Sequence, residues 1–162
     1  MNSYKSIWVT VGSMIFGLSS LVTPGTTFST DMGHMTREQI EVWRVVEEFN
    51  EAFESNDLDR FFSFVGNEIT VLTPGHPFRV EGIEDDREEI EKGISEGYGI
   101  ASLWQAMQPH VRVRGDTALV SFFSRAYLGT PPKFYYLRVT NVLARTDGDW
   151  KVMHIHVSEV PK

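Results

Sequence analysis

The chain contains no cysteine. That excludes a disulfide framework, a thiolate nucleophile and any thiolate metal site, although it leaves the compartment open. Basic residues are also scarce. Fifteen Lys and Arg stand against 22 Asp and Glu, a formal net charge of -7 with a pI near 5.2, which argues against nucleic acid or an anionic membrane as partner. No internal repeat or low-complexity tract follows the first thirty residues, and no motif there asks for a cofactor, so none is expected. What remains is 162 residues, 41% of them hydrophobic, enough for one core and too few for two.

Residues 1–30 differ from the rest. Lys5 precedes an apolar run from Ile7 to Val22, and small residues fill Thr23 to Thr30, with Thr27 and Ser29 placed as the small residues of a cleavage site. This is the layout of a signal peptide, and the run is short of the about 20 apolar residues a membrane span needs. Export to the periplasm or medium is the expectation. An uncleaved N-terminal anchor is one alternative, and a true start near Met35, giving a cytoplasmic protein, is another. The domain itself is placed at residues 36–160.

From Thr36 the periodicity is helical. Thr36 and Gln39 form a capping-box pair, and Ile40, Trp43, Val46, Phe49 and Phe53 recur at spacings of three and four. After the break at Ser55-Asn56-Asp57, a second helix is expected with Leu58, Phe61, Phe62 and Val65 as its core face. Strands are expected at 68–73, ending in the Pro74-Gly75 turn, and at 78–81, together a hairpin. Asp85 or Asp86 is then expected to cap a third helix, with Ile90 and Ile94 facing inward.

The second half reads as four strands, at 108–114, 117–128, 134–146 and 150–158, separated by Gly115-Asp116, a loop at 129–133, and Asp147-Gly148-Asp149. Alternation sorts their side chains into two faces. Val120, Phe122, Tyr135, Leu137, Asn141, Met153, Ile155 and Val157 are expected beneath the helices. Phe123, Arg125, Tyr127, Tyr136, Arg138, Thr140, Trp150, Val152, His154, His156 and Ser158 are expected on the other side, a polar and aromatic face suited to a homodimer.

The stretches EAFESNDLDRFFSFVGNEITVLTPG, PFRVEG, VRVRGDTALVSF and LRVTNVLARTDGDWKVMHIHVS resemble the SnoaL-like group of the nuclear transport factor 2-like superfamily, which includes the association domain of calcium/calmodulin-dependent kinase II. The most specific part is Arg138-x-Thr140, then Asp147-Gly148-x-Trp150 and His154-x-His156-x-Ser158. The resemblance implies an α+β fold in which a curved antiparallel sheet wraps a long N-terminal helix and two shorter helices into a cone. It also implies a pocket at the open end and pairing through the sheet. It does not fix the chemistry, since this fold hosts isomerases, cyclases, dehydratases and assembly modules.

Within that family, ketosteroid-isomerase-type turnover needs a carboxylate base just before the proline turn and a tyrosine on the first helix. Thr73 and Phe49 stand at those places, and neither can supply the chemistry. In the kinase association domain two pocket arginines occur where Asn141 and Val157 stand here, which weighs against a carboxylate ligand held in that manner. His154 and His156 lie about 7 Å apart on one strand face, with His110 as a third candidate ligand. Arg125 and Arg138 share that face, so hydrogen-bonded interface histidines are expected, not a metal site.

The expected pocket residues are Phe49, Thr73, His76, Trp104, Tyr135, Asn141 and Met153, with His76 and Tyr135 as the weak acid–base candidates. An ordinary exposed loop histidine is the competing reading for His76, and a core or lid aromatic that for Trp104. Three functions follow in order of weight. They are binding of a small hydrophobic or amphipathic molecule, an isomerase, dehydratase or cyclase working through His76 or Tyr135, and an assembly module without ligand.

Overall fold

The computed structural model describes residues 34–99 and 101–161. The expected leader lies outside the described residues. Three helices, α1 (Arg37–Glu54), α2 (Leu58–Ser63) and α3 (Ile83–Ser95), pack on the inner face of one six-stranded sheet. Its strands are β1 (Val65–Leu72), β2 (Val80–Glu81), β3 (Ala101–Arg114), β4 (Thr117–Leu128), β5 (Lys133–Thr146) and β6 (Asp149–Glu159), in the order β2-β1-β6-β5-β4-β3. All pairings are antiparallel except β1 with β6. Among the described residues, no helix is long and apolar enough to cross a membrane.

The first helix starts where the capping box places it. The Gln39 N–H donates to Thr36 Oγ1, and Gln39 Oε1 accepts from the Thr36 N–H at 2.8 Å. Gln39 Nε2 also donates to the Val111 carbonyl at 2.7 Å, so one side chain both caps α1 and ties it to β3. Val42, Trp43, Val46, Phe49 and Ala52 form its buried stripe, and the Trp43 ring meets Phe122 of β4 edge-on at 5.7 Å. Asp57 caps α2 by accepting from the Arg60 N–H.

Four expectations are corrected. Val65 begins β1 and does not end α2, because Phe64 already closes the short helix and Val65 pairs with Val152. The α3 N-cap is Gly82 at φ 92°, a left-handed conformation that favours glycine, so neither Asp85 nor Asp86 caps it. β3 begins at Ala101, not at Gln108, and runs through a bulge where Gln108 itself adopts φ 52°. Finally, Trp150 and Val152 are buried beneath the helices instead of lying on the outer face.

That last correction has one cause. Leu143 pairs with Val152 and Val142 with His154, so Met153 is an extra residue without a partner. The bulge inverts the alternation within β6. Trp150 and Val152 face inward before it, while Ile155 and Val157 face inward after it. His154, His156 and Ser158 face outward as expected, level with Val142, Thr140 and Arg138 of β5.

After α3 the chain folds back tightly. Gly97, at φ 81°, ends the helix, and the Tyr98 and Gly99 amides both donate to the Gly93 carbonyl. Gly99 is pressed so close to α3 that an added Cβ would sit 2.7 Å from the Gly93 carbonyl carbon and 2.8 Å from the Ile94 nitrogen. Those neighbours are helix backbone and cannot swing aside. Gly99→Ala is therefore expected to lower stability by about 1–3 kcal/mol in urea unfolding, the usual cost of overpacking; an unchanged midpoint would show that the helix end yields freely.

Candidate functional site

The sheet bends around α1 and α2, and the three helices do not cover all of its inner face. A cavity of about 880 Å³ results. One wall is aromatic. Phe49 and Phe53 of α1, Phe61 of α2 and Trp104 of β3 line it, with Phe49 stacked on Phe61 at 4.4 Å and Phe53 meeting Trp104 edge-on at 5.5 Å. The opposite wall is the inner face of β5 and β6, with Tyr135, Leu137, Val139, Asn141, Ile155 and Val157. α3 and the loop 73–77 close the side.

Six of the seven expected pocket residues line this one cavity: Phe49, Thr73, His76, Trp104, Tyr135 and Asn141. Met153 does not. As the bulged residue it leaves the inward series, and its sulfur lies over Gly66, where any Cβ would collide with it. His76 stands at the rim, with Nδ1 donating to the Phe78 carbonyl at 2.8 Å and Nε2 3.7 Å from Glu89. It is half-buried and held by its own loop.

The buried part of the lining carries polar atoms without partners. Asn141 is fully buried, and neither its Oδ1 nor its Nδ2 has a hydrogen bond among the described residues. Asn50 Nδ2, Trp104 Nε1 and Asp86 Oδ2 are likewise buried and unpartnered. Leaving such groups unsatisfied costs about 1–3 kcal/mol each, so a cluster of four residues on one cavity is a departure from ordinary core construction. Trp43 and Trp150 also have unpartnered Nε1 atoms, but neither lines the cavity.

Asp86 is the residue sequence reasoning missed. It is only 4% exposed, and burial pushes its carboxyl up to about 6 from an ordinary 3.8. The signal was in the periodicity. Ile83, Asp86, Ile90 and Gly93 follow one another at three, four and three residues, which puts the carboxyl on the inward stripe of an otherwise acidic, solvated helix.

On the outer face, the aromatic and basic side chains form rows across the strands. Phe123 opposes Arg138, Arg125 opposes Tyr136, and the Phe123 and Tyr136 rings stack at 5.7 Å. Leu119, Tyr127, Phe134 and Tyr136 are exposed. His154 Nδ1 is hydrogen-bonded to Thr70 Oγ1 at 2.7 Å, while His110, on β3, accepts from Arg112 Nε at 3.0 Å. Among the described residues no three His, Asp or Glu side chains gather as a metal set.

The raised Asp86 carboxyl sets a pH dependence. The folded state holds that proton more tightly than the unfolded chain, so stability falls as pH rises through roughly 4 to 6 and stays lower above. Asp86→Asn removes the penalty. Its gain over the native chain, read by urea unfolding, is expected to be near zero at low pH and to approach about 3 kcal/mol at most above pH 7. A gain independent of pH would show that Asp86 is not the titrating group.

No protein of curated function matches the chain. Solved structures match its fold. A nuclear transport factor 2-like protein of unknown function from Pseudomonas putida KT2440 is 21% identical over 76% of this chain and 87% of its own, with a TM-score of 0.68. The CaMKII hub of S. rosetta is 22% identical over 78% of this chain and 99% of its own, at 0.66. A cystatin-like protein of unknown function from Nostoc punctiforme is 9% identical over 79% of this chain and 95% of its own, at 0.67. At these identities the likeness concerns fold alone. The family model described as the SnoaL-like domain matches residues 42–162, and the chain belongs to that family.

Proposed function

We propose that this SnoaL-like domain binds a small, mainly hydrophobic molecule carrying a few hydrogen-bonding atoms. The observation that carries the reading is the cavity itself. It is large enough for a small molecule, walled by aromatic and aliphatic side chains, and lined by residues with buried polar atoms that have no partner among the described residues.

A neutral solvatochromic dye such as Nile red should bind the purified full chain with a blue-shifted emission. Val157→Trp, which fills the cavity from β6, should weaken the dye at least about 10-fold, the effect of steric exclusion worth roughly 1.4 kcal/mol or more. Equal binding by both proteins would place the dye elsewhere and remove the support.

One observation favours an acid–base enzyme as the second reading: the raised carboxyl of Asp86 is suited to proton transfer near neutral pH. Steroid double-bond migration is not expected, because Thr73 and Phe49 line the cavity where that chemistry wants a base and a donor. Turnover of a 3-oxo-Δ5-steroid by the native chain, lost in Asp86→Asn, would move the enzyme reading ahead of the binding one.

The outer face supports a homodimer. Phe123, Tyr127, Phe134 and Tyr136 leave a contiguous aromatic patch flanked by Arg125, Arg138 and His156, the composition of a partner surface more than of a wetted one. Light scattering at micromolar concentration should give twice the chain mass, and Tyr136→Lys should return it to the monomer. A monomeric native chain would refute the pairing.

A further inference from the structure

We propose that the cavity takes a hydrophobic molecule bearing a protonated amine, with the ammonium on Asp86 and the apolar body against the aromatic wall. This names the ligand class and rests on the cavity being a binding site.

The charges of the lining point one way. Among the described residues of the lining, Asp86, Glu89 and Glu159 are carboxylates, Lys92 is the single ammonium, and there is no arginine. Lys92 is exposed on the last turn of α3, whereas Asp86 lies in its first turn and is buried. The His76 imidazole faces Glu89, not Asp86. The elements packed on α3 bring Glu68 on β1 and Glu81 on β2, both exposed, with Glu81 already paired to Arg79, and Asp59 on α2, exposed and paired with Arg87 of α3, whose guanidinium lies over the Phe62 ring. Burial alone accounts for the raised Asp86 carboxyl. An anionic ligand would meet repulsion, and a neutral one would leave the carboxylate bare.

The aromatic lining supplies the rest of the recognition. Ring faces attract an ammonium when water is excluded, and Phe49, Phe53, Phe61, Trp104 and Tyr135 lie around the same space as Asp86. A charge-assisted bond from an ammonium to the Asp86 carboxylate would offset the cost of holding that charge in a buried site. The amide atoms of Asn50 and Asn141 remain for polar atoms elsewhere on the same molecule.

The probes are 4-phenylbutylamine, 4-phenylbutanol and 4-phenylbutanoate, equal in body and different in charge, titrated calorimetrically into the full chain. At about pH 8 the amine should bind roughly 10- to 100-fold more tightly than the alcohol, the range of a charged hydrogen bond, and the carboxylate should bind most weakly. At about pH 5, where Asp86 is protonated and the amine still charged, the amine advantage should shrink toward parity. Asp86→Asn should abolish the advantage at both pH values, while Glu68→Gln, an exposed β1 carboxylate outside the lining, should leave it nearly intact. The native-chain comparison stands even if Asp86→Asn fails to fold. Equal or tighter binding of alcohol or carboxylate would overturn the amine assignment and keep the cavity as a binding site. Binding of none of the three, together with failure of the dye, would overturn both.

Discussion

Curvature of the sheet is the constraint on which the rest depends. A flat six-stranded sheet would lie against α1 and leave nothing between them. Breaks in register prevent that, among them the bulge on β3 between Met107 and His110, with Gln108 in a left-handed conformation, and the bulge on β6, where Met153 is an unpaired residue. Bulges increase local twist and bend the strand that carries them. Placed on strands at opposite sides of β4 and β5, they wrap the inner face around Trp43, Val46 and Phe49. The same bend leaves more inner surface than α1, α2 and α3 can cover. The cavity is the uncovered remainder.

This explains which parts of the molecule were legible in the sequence. The helices of the first half announce themselves through the Thr36–Gln39 cap, the Asp57 cap and stripes of large apolar residues, because local geometry alone fixes those signals. β4 and β5 keep strict alternation, so the inward placement of Tyr135 and Asn141 follows from a period of two. β6 does not. Nothing in Trp150-Lys151-Val152-Met153-His154 marks Met153 as the extra residue, since its placement depends on how β5 pairs with it. One unpaired residue moved Trp150 and Val152 to the core and took Met153 out of the site. The extension of β3 back to Ala101 was hidden for a related reason: Trp104 to Gln108 alternates poorly because the strand passes from cavity wall to outer edge.

Asp86 was legible in position and misread in role. An aspartate near a helix start is usually a cap or a solvated charge, and α3 is acidic over most of its surface. Here Gly82 already performs the N-terminal turn, which frees Asp86 from capping. The spacing from Ile83 to Ile90 then turns it inward. Folding alone would favour an aliphatic side chain at that position. A carboxyl held there without a partner weakens the folded state across the pH range in which it ionises, and natural sequences keep such local conflicts chiefly where a ligand or a reaction resolves them.

Scaffold and site therefore separate cleanly in this chain. The bulges, the Gln39 tie to Val111 and the close Gly93–Gly99 contact shape a cavity without specifying what enters it. Identity resides in the few polar positions on its wall. The resemblance to ketosteroid isomerases and to the kinase association domain implies functional groups at Phe49, Thr73, Asn141 and Val157, and this sequence places neutral side chains at all four. The buried carboxyl sits instead on α3, at Asp86. On the amine proposal, neutral side chains at these strand positions and a carboxyl on α3 favour a cation with no change to the frame of the cavity. A shared fold thus leaves ligand charge open, and on the amine proposal it is the local field at Asp86, more than the topology around it, that discriminates among molecules of suitable size.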